Sequence, residues 1–251
     1  MNLKFGFVVF LILNAGVCVA AEFERIEVPI GQIFVTSVSA GEPAEIVLDG
    51  ILPNGCYAVS DFSTSAQEFQ VHPHLFALHR TAGPCADESH LAASLQPPVP
   101  YTLSVSLGVL VIGDYTVVYP RPGLPDGLRP FSVQKARVPR VIAPLSASVS
   151  SVWVSDSVRG DLPISVELVG SLTRTCTSLL PDVSVKLQGD VFEVLPLLHA
   201  VVDPFCAFEM KPFQTVVTLP PPGEGRFLIH VQSADGGSVN RAFSAVVRDP
   251  E

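Results

Sequence analysis

The stretch Leu48-Asp49-Gly50-Ile51-Leu52-Pro53-Asn54-Gly55-Cys56 returns in altered form as Leu168-Val169-Gly170-Ser171-Leu172-Thr173-Arg174-Thr175-Cys176. In both, a leucine stands eight residues before a cysteine, with a glycine two residues after that leucine and a second leucine four after it. The spacing persists on moving outward. The next cysteine follows after 29 residues in one case (Cys85) and after 30 in the other (Cys206). Tyr101 to Leu107 matches Phe213 to Leu219, Leu107 to Tyr115 matches Leu219 to Phe227, and Tyr115 to Phe131 matches Phe227 to Phe243. Shared offsets at so many apolar and cysteine positions indicate an internal duplication, which takes precedence over any local reading of the chain. The copies part only between the second cysteine and the next strand, 16 residues from Cys85 to Tyr101 but seven from Cys206 to Phe213.

Each copy has the two-residue period of half-buried strands. Tyr101, Leu103, Val105 and Leu107 alternate with small polar residues. Val183, Val185 and Leu187 do the same before a Gly189-Asp190 turn into Val191-Phe192. Gly113-Asp114-Tyr115 and Gly225-Arg226-Phe227 each open a strand. About seven strands per copy at these spacings suit a two-sheet sandwich. The predicted fold is all-β: two tandem immunoglobulin-like β-sandwich domains after a signal peptide. A central-strand tryptophan is missing, since the one tryptophan, Trp153, lies near the start of the second copy. The likeness to immunoglobulin domains is therefore one of architecture. The expected boundaries are 1–21 for the signal peptide, 22–134 for the first domain, 135–140 for a short basic linker and 141–251 for the second domain.

At the amino terminus, Lys4 precedes the apolar run Phe5–Leu13, and small residues end at Val19-Ala20-Ala21. That is the layout of a secretory signal peptide cleaved after Ala20 or Ala21. The run is too short for a membrane anchor, and Val17 directly before Cys18 is wrong for lipidation. No later stretch is long enough to span a bilayer, so no transmembrane segment is expected once the signal is removed. Cys18 leaves with the signal, and Cys56, Cys85, Cys176 and Cys206 remain. In an oxidising compartment an even count reads as two disulfides. Four cysteines allow three pairings, and the duplication selects Cys56–Cys85 and Cys176–Cys206. The absence of any CxxC pair argues against zinc.

Hydrophobic residues make up 48 % of the 251-residue chain and charged residues 16 %, which excludes a disordered protein. The 23 prolines, scattered through valine-rich stretches, argue for short strands over long helices. A formal charge of −9 disfavours nucleic acid and anionic membranes as partners. The succession Cys206…Pro212-Phe213…Leu219…Gly225-Arg226-Phe227, with its counterpart Pro100-Tyr101…Leu107-Gly108…Gly113-Asp114-Tyr115, resembles a pattern in uncharacterised bacterial secreted and envelope β-repeat proteins. It departs from that pattern at Pro220-Pro221-Pro222. The resemblance implies an envelope or secreted β-repeat protein and supplies no activity.

Four of the six histidines, His72, His74, His79 and His90, fall in the first copy. His72 and His74 at i and i+2 project from one face of a strand, as imidazoles holding a transition metal on a β-scaffold do. Pro73 between them points to an edge strand or an irregular loop. Near His90, the segment 87–95 reads as a short helix capped by Asp87 and stopped by Pro97-Pro98. The second copy lacks these histidines, so the fold does not need them, and ordinary surface histidines are the default. No GxSxG elbow and no free thiol offer a nucleophile. Gly223-Glu224-Gly225-Arg226 lacks the helix of a phosphate cradle, and Asp49 and Asp61 read as solvated carboxylates. The expectation is a non-enzymatic exported interaction or structural module, without cofactor, that meets an envelope or extracellular macromolecule. A metal-binding exported protein using the histidines is the alternative. A secreted inhibitor or carbohydrate binder ranks third, because the supply of tyrosine and tryptophan is small for sugar stacking.

Overall fold

A computed structural model describes residues 23–38, 40–81, 85, 97–121, 123–135, 146–181, 183–200, 205–234 and 236–247. The described chain is all-β. Before residue 135 the strands are β1 (Phe23–Val28), β2 (Gln32–Val35), β3 (Pro43–Leu52), β4 (Tyr57–Gln67), β5 (Gln70–Arg80), β6 (Val99–Val109), β7 (Gly113–Tyr119) and β8 (Gly127–Val133). After it come β9 (Ser148–Trp153), β10 (Ser157–Arg159), β11 (Ile164–Arg174), β12 (Thr177–Leu179), β13 (Ser184–Gln188) and β14 (Val191–Leu195). The last four are β15 (Leu198–Ala200), β16 (Phe208–Leu219), β17 (Gly225–Gln232) and β18 (Ser238–Val246). The predicted signal peptide, the helix over 87–95 and linker residues 136–140 lie outside the described residues.

The pairing pattern recurs along the chain. In the first half β2-β3-β6 form a three-stranded sheet, and β9-β11-β16 do so in the second. The hairpin β4–β5 joins β7 and β8, with β5 parallel to β7; the hairpin β13–β14 joins β17 and β18, with β14 parallel to β17. Both halves exceed the expected seven strands, with eight described in the first and ten in the second, and the second has two more because this hairpin is cut in two. Its distal part is the separate ladder β12–β15, interrupted where Pro181 and Pro196 remove backbone donors. Each disulfide closes the open end of such a hairpin. Cys56–Cys85 and Cys176–Cys206 have Cα–Cα separations of 5.7 and 5.4 Å, ordinary for the bond.

The repeated glycines are explained by close packing. A Cβ on Gly50 would run into the Tyr101 ring, and one on Gly170 would strike the Ser148 carbonyl oxygen of the neighbouring strand and meet the Phe213 ring at 2.7 Å. Gly50 pairs with Tyr101 across the ladder, and Gly170 with Phe213. Glycine is what allows an aromatic ring to lie over the neighbouring strand.

Two large apolar clusters, one in each half, follow from the alternation. In the first half Ile46, Leu48 and Val105 of the three-stranded sheet pack on Val71, Leu75 and Val117 of the larger one. In the second, Val166, Leu168 and Leu219 pack on Phe192, Phe227 and Phe243. A third apolar cluster joins the halves: Phe34 and Val47, on the outer face of β2-β3, pack on Val191, Leu228 and Ala242, on the outer face of β14-β17-β18. The four layers therefore run in order: the large sheet of the first half, its β2-β3-β6 sheet, the large sheet of the second half, and the β9-β11-β16 sheet.

Candidate functional site

The histidines are placed by strand parity. On β5, Val71, Pro73, Leu75 and Ala77 are buried toward the core, and His72 and His74 alternate with them on the outer face. The expected shared face is present. The expected edge strand is not, because β5 lies between β4 and β1. Pro73 is tolerated because pairing with β1 starts only at Leu75 and pairing with β7 ends at Val71, so its missing N–H falls in the gap. His74 Nδ1 lies 2.8 Å from Glu27 Oε1. His79 has the opposite parity and stacks on Tyr57, with ring centroids 4.4 Å apart. The fold thus separates His79 from the pair, and His90 lies outside the described residues. Among the described residues no three histidine, cysteine or acidic side chains form a metal-holding group.

The densest set of polar contacts lies where the two halves meet. Asp49 is not a solvated carboxylate: its side chain is 5 % exposed. Arg226 grips it with two bonds, Nε to Oδ2 at 2.6 Å and Nη2 to Oδ1 at 3.0 Å, and Thr102 Oγ1 donates a third to Oδ1 at 3.2 Å. Arg226 Nη1 also donates to Ser244 Oγ at 3.1 Å. The planar guanidinium suits such a fork, which makes the pair both strong and directional. Hydrogen bonding to Asp49 raises the arginine's pKa further. Burial, with the Asp49 charge second, pushes the Tyr101 phenol above its ordinary value. Its hydroxyl donates to the Pro29 carbonyl at 2.6 Å. Asp61, by contrast, is an exposed carboxylate paired with Arg25 at 3.1 Å.

On the other side of the apolar cluster, Glu45 Oε1 accepts from Ser238 Oγ at 2.8 Å and Asn240 Nδ2 at 3.2 Å, and buried His230 bonds Asn240 Oδ1 through Nδ1 at 2.9 Å. Asn240 Nδ2 also donates to Ser104 Oγ at 2.6 Å. At a third edge Asp190 accepts from Gln32 Nε2 at 3.1 Å and from Arg129. Among the described residues no buried side-chain nitrogen or oxygen lacks a partner. Acceptors directed into such networks act as anchors between the two halves. A cleft of about 500 Å³ opens beside the Asp49–Arg226 pair, walled by Ile51, Leu124 and Arg121.

None of these junction residues was singled out as a site from sequence. The signal that marks them is the loss of alternation in Ile46-Val47-Leu48 and Phe227-Leu228-Ile229, since a strand apolar on both faces is covered on both.

Among the described residues no helix is long and apolar enough to cross a membrane. Fold and junction define a class: an all-β, disulfide-stapled protein of stacked sheets. The chain matches no protein-family model, no curated protein and no solved structure.

Proposed function

We propose that this chain is an exported, non-enzymatic interaction module of the cell envelope or secreted space. In this reading residues 1–21 are removed, and 22–134 and 141–251 are tandem immunoglobulin-like domains joined by 135–140. Among the described residues, no sheet mixes strands from the two sides of the linker, and each side carries its own disulfide, which supports this division. Disulfides of this kind persist in oxidising compartments.

The observation that carries the interaction role is the outer face of β9-β11-β16. Trp153, Glu167 and Val216 form one row across it, and Trp153 and Val216 are 62 % and 64 % exposed. They border a shallow groove of about 330 Å³. An exposed tryptophan on a sheet face with an apolar neighbour is the chemistry of a protein contact. The test is capture from an envelope extract by the immobilised chain and by its Trp153→Arg variant. A partner retained by the first and lost by the second is expected; equal capture, or none, would overturn the assignment of this face. Intact mass of the exported chain should begin at Ala21 or Glu22, and a mass retaining residues 1–20 would overturn the export reading.

A further inference from the structure

The contact between the halves joins unlike faces. The first half offers the outer face of its three-stranded sheet, and the second offers the outer face of its large sheet. A contact between unlike faces does not close on itself. It leaves the partner faces open at the two ends of the stack: β9-β11-β16 at one, and β5-β7-β8 at the other. We infer that a second copy of this chain docks there, β9-β11-β16 of one molecule against β5-β7-β8 of the next, so that chains assemble head to tail. The inference deepens the interaction reading above by naming the partner.

The ladder registers fix which residues correspond. Phe34 pairs with Val47, and Trp153 with Glu167; Val47 pairs with Ser104, and Glu167 with Val216. On the opposing face Leu228 pairs with Ala242 and Val191, and Thr116 with Pro130 and Gln70; His230 pairs with Asn240, and Val118 with Leu128. Phe34, fully buried at the internal junction, thus has Trp153 as its exposed counterpart.

The substitutions between the internal contact and the open faces are matched on both sides. Inside, Ser104 and Asn240 share a hydrogen bond. Their counterparts are Val216 and Leu128, an apolar pair 64 % and 66 % exposed. Inside, Val47, Val191 and Leu228 form an apolar cluster; their counterparts Glu167, Gln70 and Thr116 are all polar and capable of bonding one another. Two independently solvated faces would have no reason to change together in this way, whereas two faces that meet would. The Asp49–Arg226 pair has no equivalent, since Val169 and Asp114 stand in its place, so the contact between chains is weaker than the one within.

The test follows the full chain, purified after export with both disulfides formed, by sedimentation from about 1 μM to about 1 mM, the range of weak association. Mass should climb without a plateau at two copies, and the emission of Trp153, the only tryptophan, should shift to the blue as mass rises. Trp153→Arg and Leu128→Arg should each remain monomeric, having lost opposite faces. Mixed, they should form a dimer and nothing larger, because each retains the face the other needs. A monomer at every concentration, a plateau at the wild-type dimer, or a mixture that stays monomeric would overturn the inference. Both substitutions sit on exposed positions, and unchanged thermal unfolding confirms that the variants are folded. If the chain stays monomeric while an envelope partner is still captured through Trp153, self-association alone fails. Loss of both overturns the interaction reading as well.

Discussion

Asp49 and Arg226 are unequally buried, with side chains 5 % and 36 % exposed. Removing one member of a buried pair strands the other, and the cost follows the burial of the charge left behind. Arg226→Ala strands the deeper group and is expected to destabilise the protein by about 3 kcal/mol, discounted for the arginine's partial exposure, whereas Asp49→Ala should cost about 2 kcal/mol. A double-mutant cycle by urea unfolding checks the order and the coupling. A second residue-scale effect lies at the turn between β4 and β5, where Glu68 has φ 54°. Gly189 occupies the corresponding turn between β13 and β14 with φ 61°. A side chain in this left-handed region costs about 1–2 kcal/mol, partly offset by the chain entropy that glycine adds to the unfolded state. Glu68→Gly should therefore stabilise the protein by about 0.5–1 kcal/mol, read as a higher denaturation midpoint with an unchanged slope.

At the scale of elements, each disulfide pins the open end of one hairpin. The first hairpin is continuous over eleven-residue strands β4 and β5. The second is divided, with only three-residue strands β12 and β15 nearest the bridge. Closing a loop of this length stabilises by about 3.5 kcal/mol on the chain-entropy estimate. Where so little ladder is present, the bridge carries more of the local order. Replacing Cys176 and Cys206 with serine is expected to expose amides of β12 and β15 to hydrogen exchange at least tenfold faster, while β4 and β5 keep more protection after the same change at Cys56 and Cys85. Non-reducing peptide mapping of the wild type should yield only the 56–85 and 176–206 links.

For the whole molecule, the junction couples the two cores. Phe34 is fully buried in the cluster that joins them. Phe34→Ala should cost about 3–4 kcal/mol through lost burial and a residual cavity. It should also convert a single calorimetric unfolding transition into two, because each half retains its own apolar cluster. A single transition of unchanged width in the variant would show that the halves are coupled by something other than this cluster.

What the sequence determined by itself is whatever is encoded over short distances or repeated. Period-two alternation placed β6 and β13, the glycine-led openings at Gly113 and Gly225 placed β7 and β17, and the duplicated offsets matched the cysteines that form the bridges. The His72–His74 face was legible for the same reason, since strand parity is local. His79 stands at odd parity to that pair, on the opposite face of β5. The tertiary structure alone decided which outer faces meet. Asp49 read as solvated because its partner lies 177 residues away, and nothing near Asp49 in the chain reveals a guanidinium that arrives only when two sheets stack. A ladder leaves a periodic trace in the residues that build it. Contact between faces of separate sheets leaves only a break in alternation, at Val47 and Leu228, which shows that a face is covered without showing by what.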